Sequence, residues 1–438
     1  MDQYFVWHKK AKEYFRLPQN WSVLSNAVLP SAQAGQPVYD LVSQALAQPI
    51  GSPPLAQLVK PGAKVVLIVD DLTRPTPHRD MVRCLIDHLN QIGVADDQID
   101  LLFALGTHRP LTDDEVRDAL GQDLVGRIRY SNHDAWAGDL VRVGVLPHGG
   151  ELKVNPLVVA ADLRIAIGSI LPHPMNGFGG GAKTVMPGVS NFEAIRDHHL
   201  ATLIAPGTAL GNMIGNPFRE EICQAARLAG LDFIVNAVYN SQEQVKGVVC
   251  GHFEKAHQRG VELSLKEYAV EINQDAEVSI VSAFPFEEGP QLMKPLLPGI
   301  MVTKKGGTVI LYAGTITGGQ LPDPFLSAFD YTFSQIEGRD PAQTAVEYLN
   351  QRKLMVPAAP MDFNCAIYLT LFYLSRVRII LTSPDATADQ AARLKFDYAA
   401  DIDQALKMAA ADFPRAKVNI LPSGGLIVPL VKEALTLA

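Results

Sequence analysis

What most limits the folds open to this chain is a recurring pattern of short β-branched apolar runs, each closed by Gly, Pro or Asp. The first half carries Val65-Val66-Leu67-Ile68-Val69, Ile99 to Ala104 and Leu163 to Ile170. Helix-like stretches such as Asp80 to Ile92 separate them. Runs without polar alternation suit strands covered on both faces, so the pattern reads as a buried sheet with helices packed on it. The second half repeats it with Val278-Ser279-Ile280-Val281, Val309-Ile310-Leu311-Tyr312 and Val377-Arg378-Ile379-Ile380-Leu381. Phe253 to Glu271 has the apolar stripe of a long amphipathic helix and reads as the connector. The expectation is an α/β protein of two domains, 1–275 and 276–438, with largely parallel or mixed sheets. The extreme C-terminus is free to pack back on the first domain, and the active site falls in the cleft between the two.

At 438 residues, with 47% apolar and 19% charged residues, the chain has enough apolar side chains for large cores and too few charges for disorder. Its 38 Lys and Arg against 46 Asp and Glu leave a net charge of −8. Nucleic acid and anionic membrane surfaces both require a basic field, so neither is an expected partner. A small anion remains a suitable ligand if local cations hold it. Cys84, Cys223, Cys250 and Cys365 are scattered without a CxxC pair, which reads as free thiols in a reducing compartment. The opening MDQYFVWHKKAKEYF lacks a signal-peptide core, and no apolar run reaches the roughly 18 residues of a membrane span. The expected location is the cytoplasm.

Polar clusters follow three first-half strands, where α/β sheets place their sites. Asp70-Asp71-Leu72-Thr73-Arg74-Pro75-Thr76-Pro77 offers a guanidinium fork for a carboxylate or phosphate, or else a turn in which Asp71 pairs with Arg74. Gly106-Thr107-His108-Arg109-Pro110 puts a histidine at a strand end, either as a proton carrier or as a hydrogen-bonded structural ring. The third cluster runs Leu171-Pro172-His173-Pro174-Met175-Asn176-Gly177-Phe178-Gly179-Gly180-Gly181-Ala182-Lys183-Thr184. Its consecutive glycines let backbone N–H groups approach an anion closely. A P-loop is excluded, because Ala182 stands where that motif needs glycine and Pro187-Gly188 prevents a helix from starting at the lysine. Lys183 therefore sits in a loop or single turn. Ser190 to His199 reads as a helix capped by Ser190 or Asn191, with His198 and His199 pointing about 100° apart. A fourth cluster, Ser282 to Lys294, places Gln291 and Lys294 three residues apart, on one face if helical.

Taken together, DDLTRP, GTHRP, HPMNGFGGGAK with the following MPGVSNFEAIRDHH, and GPQLMK resemble the nickel-dependent lactate racemase family, as do VNAVYN and VCGHFEKAH. The resemblance spans about residues 65 to 295 in the same order. It implies a nickel-pincer nucleotide, a pyridinium mononucleotide made by partner enzymes and linked covalently to Lys183. Asp71, Gly179, Gly180 and Gly181 would lie around that cofactor. It further implies His199 as the metal ligand, with His198 the less favoured neighbour. His108 and His173 would be the acid/base pair, and Arg74, Gln291 and Lys294 would hold a small anionic 2-hydroxy acid. The implied reaction is racemisation or epimerisation by hydride transfer through a 2-keto acid. The acids in question include lactate, larger or dicarboxylic hydroxy acids and sugar acids, the substrate's tail being chosen partly around Pro360 to Tyr373. Two other readings of the residues stay open: a pyridoxal-phosphate-type enzyme with Lys183 as its Schiff base, and a non-catalytic nucleotide- or anion-binding protein. The sequence does not specify an oligomeric state.

Overall fold

The computed structural model describes residues 2–9, 11–30, 35–286, 291, 293–313, 323–382 and 384–431. Two six-stranded sheets organise it. The first has the spatial order Val245–Gly251, Phe233–Tyr239, Leu163–Ile170, Val65–Asp70, Ile99–Ala104, Arg129–Asn132. Only the edge strand Val245–Gly251 is antiparallel. Its centre is the apolar run of Val65–Asp70, where Leu67 pairs in register with Leu101 on one side and Ile165 on the other. Leu67 and Ile68 are fully buried. Each such side chain taken out of water stabilises the fold by roughly 1.5–3 kcal/mol, which is why these runs become sheet interior. The helix His78–Gln91 packs its apolar face inward through Met81, Val82, Leu85 and Leu89.

The second sheet, ordered Asp397–Ala399, Arg378–Thr382, Thr303–Tyr312, Ala276–Ser282, Lys417–Leu421, Ser22–Asn26, is parallel throughout. The α/β class and the largely parallel or mixed sheets expected from the sequence are therefore what the chain adopts. In both sheets the order of strands reverses beside a central strand, Val65–Asp70 in one and Ala276–Ser282 in the other. Such reversals open a crevice at the carboxyl ends of the strands.

Two details depart from the sequence reading. The strand Ser22–Asn26 pairs with Lys417–Leu421, and Val6, Phe15 and Trp21 share a core with Val278 and Ile280, so residues 4–26 belong with the second sheet. An open sheet edge captured a segment that the division at 275 assigned to the first domain. The helix expected to reach Glu271 is Phe253–Tyr268. Its last three residues, Ala269–Glu271, instead form a strand against Val428–Leu430, which returns the C-terminal part of the chain to the connector. No helix among the described residues is long and apolar enough to cross a membrane.

Candidate active site

The neighbouring strands Leu163–Ile170, Val65–Asp70 and Ile99–Ala104 deliver the first three clusters to one end of the first sheet. Asp70 closes its strand and ties the loops together. Its carboxylate accepts from Thr76 Oγ1 (2.8 Å) and the Ser169 backbone N–H (3.1 Å), and it faces His78 Nε2 at 2.9 Å. The His108 loop is bound to the lysine loop by a Gly106 N–H to Gly188 carbonyl bond of 2.9 Å. It meets the second half where Thr107 Oγ1 accepts from the Met361 N–H at 3.4 Å.

These contacts enclose a cavity of about 180 Å³. It brings together Asp71, Arg74, His108, His173, Lys183 and His199 from the first half with Gln291 and Lys294 from the second. Asp71, His173 and His199 are buried, while Arg74, His108, Lys183, Gln291 and Lys294 are half-buried. Residues 287–290 and 292 of the fourth cluster lie outside the described residues. Gln291 and Lys294 share a short turn, the Lys294 N–H donating to the Gln291 carbonyl at 3.0 Å.

The two cavity histidines are set differently. His108 Nδ1 lies 2.5 Å from Asp71 Oδ2, so Nδ1–H donates to the carboxylate and Nε2 keeps its lone pair. Burial opposes charge on this ring, but the bond to Asp71 and the charges of Asp71 and Asp362 outweigh it, and the His108 pKa is raised. Burial likewise pushes Asp71 up, yet His108, Arg74 and Thr73 together hold its carboxyl well below the usual carboxylate range. His173 Nδ1 instead accepts the backbone N–H groups of Met175 (3.2 Å) and Asn176 (3.1 Å), which leaves the proton on Nε2. That nitrogen faces Lys183 Nζ at 3.2 Å, so the Lys183 amine accepts and is neutral. Burial and the positive charge of Arg74 lower the Lys183 pKa to about 7, in agreement with the hydrogen bonding. Burial together with Lys183, Lys294 and Arg74 also holds His173 well below its usual pKa. Lys294 is lowered by burial and by Arg74 and Lys183.

The helix Phe192–Thr202 starts after Asn191 and presents adjacent histidines. His199 Nδ1–H donates to the Ile195 carbonyl at 2.8 Å, which fixes the tautomer and leaves Nε2 as a lone-pair donor on a ring that lines the cavity. His198 does not line it; its Nε2 donates to the Phe218 carbonyl at 2.9 Å and its Nδ1 faces His199. Among the described residues no group of three or more His, Cys, Asp or Glu could hold a metal, so an ion here would need ligands from a cofactor.

The glycines depart from their expected part. Lys183 sits in a single 3₁₀ turn, Gly181–Thr184, but Gly179 N–H donates to the Leu171 carbonyl (2.8 Å) and Gly181 N–H to Asn236 Oδ1 (2.8 Å). Of the three, only Gly180 borders the cavity. Close packing explains them: a Cβ on Gly180 would lie 2.9 Å from the Ser169 carbonyl oxygen, and one on Gly181 would lie 2.7 Å from His257 Cδ2. Gly180 and Gly181 also adopt φ of +75° and +56°.

Sequence reasoning placed one wall only as a region, Pro360 to Tyr373, without naming its residues. The helix Met361–Arg376 turns Met361, Asp362, Cys365, Ala366, Leu369 and Tyr373 to the cavity. Their spacing is helical and mostly apolar, which in a sequence is indistinguishable from core packing. Cys365, read as a bystander thiol, lines the site as a neutral group whose pKa burial pushes up to about 12.

An α/β scaffold that collects an Asp-backed histidine, a second histidine, a neutral lysine, Arg74 and Lys294 at a strand-order reversal has the groups that acid/base chemistry on a small anion requires. Residues 9–211 match the lactate racemase N-terminal domain. The chain is 29% identical over 395 residues to the lactate racemase of Thermoanaerobacterium thermosaccharolyticum, covering 89% of this chain and 90% of that one. It is also 29% identical over 397 residues to the lactate racemase of Lactiplantibacillus plantarum, with the same coverage. The structure of the Thermoanaerobacterium lactate racemase apoprotein superposes with a TM-score of 0.85 at 28% identity, over 99% of this chain and all of that one. A Thermotoga maritima protein of 19% identity shares the fold, with a TM-score of 0.64 over 92% of this chain and all of that one. The resemblance carried by the motifs thus holds: across nearly nine-tenths of its length the chain is similar in sequence and in fold to lactate racemases, which marks it as an isomerase.

Proposed function

We propose that the chain inverts the C2 centre of a small 2-hydroxy acid in the cytoplasm, using a nickel-pincer nucleotide supplied by cofactor-synthesis enzymes and joined to Lys183. The observation that carries this reading is the juxtaposition of a neutral Lys183 amine, a free His199 Nε2 and the His108–Asp71 pair in one cavity. A neutral amine suits covalent attachment, and a single histidine ligand suits a metal whose other ligands belong to the cofactor. Such a cofactor supplies a hydride acceptor at C2.

The chain's own groups do the rest. Arg74 and Lys294 place positive charge against the substrate carboxylate, and Gln291 adds an amide beside them. His108, with its lone pair fixed by Asp71, accepts the hydroxyl proton of one enantiomer. His173 faces the opposite enantiomer, whose hydroxyl points the other way, as an Nε2–H donor; to accept that hydroxyl's proton it must first move its own proton to Nδ1, against the Met175 and Asn176 N–H groups. A cofactor held at Lys183 would take up the amine to which His173 Nε2–H donates and would leave that N–H to face substrate. Removing only the hydroxyl proton as a proton avoids ionising the very weakly acidic C2–H. With the N–H groups of Gly179 and Gly181 engaged internally, the phosphate cradle that a pyridoxal-phosphate reading requires finds little support.

The test is protein co-produced with the cofactor-synthesis enzymes and followed by polarimetry on a panel of single-enantiomer 2-hydroxy acids. Rotation should decay toward zero for at least one acid, with a nucleotide adduct on the Lys183 peptide and about one nickel per chain. An unmodified Lys183 in active protein, or a borohydride-trapped carbonyl adduct there without nickel, would overturn the proposal.

A further inference from the structure

Among the described residues three carboxylates line the cavity: Asp70, Asp71 and Asp362. Asp70 is saturated by Thr76, Ser169 and His78. Asp71 is saturated by His108 on one oxygen and by the backbone and hydroxyl of Thr73 on the other. Asp362 differs. Its Oδ1 is buried without a hydrogen-bond partner among the described residues, and its Oδ2 lies 3.8 Å from His108 Nε2, the nitrogen that faces substrate. It stands in the first turn of the helix Met361–Arg376, whose start is fixed to the His108 loop through Thr107. The remaining cavity-facing residues of that helix, Met361, Cys365, Ala366, Leu369 and Tyr373, offer no second charge.

A buried acceptor left unpaired is unfavourable, and a ligand that brings a donor relieves it. Arg74 and Lys294 already provide for the carboxylate end of a substrate. A negative charge next to the proton-accepting face of His108 suits the other end only if that end donates a hydrogen bond. We infer that Asp362 is a specificity-determining residue that selects 2-hydroxy acids bearing a further hydroxyl on the tail, as in the 2,3-dihydroxy and sugar acids, and rejects a tail carboxylate. This rests on the inversion reaction proposed above and narrows its substrate class. A methyl tail leaves Asp362 unpaired, and a second carboxylate places like charges together.

The experiment measures kcat/KM for inversion of glycerate, lactate and malate by the cofactor-loaded enzyme and its Asp362→Asn and Asp362→Leu variants. The wild type should favour glycerate over lactate by about 10- to 100-fold and turn malate over least. Asp362→Asn, which keeps an acceptor without the charge, should retain the glycerate preference while malate gains. Asp362→Leu should erase the glycerate preference and bring lactate to the fore. Equal losses on all three acids in both variants would assign Asp362 to general support of His108 and overturn the inference. So would a wild type that prefers lactate or malate. Inversion of none of the three by enzyme carrying nickel and the Lys183 adduct would remove the parent reading, and this one with it.

Discussion

Asp71→Asn is the substitution whose outcome follows most directly from the geometry. The side chain keeps its shape, but the 2.5 Å bond from His108 Nδ1 loses its charge and its fixed acceptor. A hydrogen bond to a charged partner contributes about 1.5–3 kcal/mol, which at about 1.4 kcal/mol per decade corresponds to a roughly 10- to 150-fold fall in kcat/KM. The pH dependence has a definite sign. His108 accepts a proton only when neutral, and its pKa is raised, so activity is lost as pH falls through that raised value. Without the Asp71 charge the effect of burial prevails, and the acid limb should move to lower pH. Stability follows the same pair. Asp71, with its pKa depressed, stabilises the fold above the ordinary carboxylate pKa, a contribution lost as pH falls through the depressed value. His108, with its pKa raised, stabilises the fold below the ordinary imidazole pKa, a contribution lost as pH climbs through the raised value. Initial rates of inversion between about pH 5 and 9 test the activity claim. Thr73→Val, which loosens Asp71's other contacts, should raise KM without moving the acid limb. A variant Asp71→Asn with the wild-type limb and a rate within about twofold of wild type would refute the assignment of His108 as the Asp-backed base.

Arg74→Ala should raise KM and lower kcat, with kcat/KM down about 10- to 150-fold for the loss of a charge-assisted bond to the substrate carboxylate; unchanged kinetics would remove Arg74 from the site. In protein lacking the cofactor, Lys183 should react with trinitrobenzenesulfonate at half its maximal rate near its pKa of about 7, well below surface lysines, as read by peptide mass spectrometry. Gly181→Ala should destabilise the fold by about 1–3 kcal/mol in urea unfolding, because its Cβ would meet the His257 ring 2.7 Å away at φ +56°.

The sheets were legible because their central strands are uninterrupted apolar runs, and Val65 to Val69 could hardly be anything but interior. The site was legible where residue chemistry is unusual at a strand end, as at Asp71, His108 and Lys183. Three parts were hidden for separate physical reasons. Ser22–Asn26 joins a sheet edge some 390 residues away along the chain, a pairing that local periodicity does not encode. Gly179 and Gly181 looked like anion binders because a glycine run permits either close ligand approach or close packing, and only the position of Asn236 and His257 decides between them. Asp362 and Cys365 fall inside the expected tail region, Pro360 to Tyr373, but lie on a helix whose apolar period is that of any core helix, so nothing local singles them out within it.

The central claim is that the histidines move only the hydroxyl proton while the C2 hydrogen leaves and returns as hydride. Racemisation of a single-enantiomer 2-deuterio-2-hydroxy acid in ordinary water by the nickel-loaded enzyme tests it in one measurement. The expected result is interconversion of the enantiomers with deuterium retained at C2. Interconversion with replacement of that deuterium by solvent hydrogen would show proton abstraction from carbon and contradict the account.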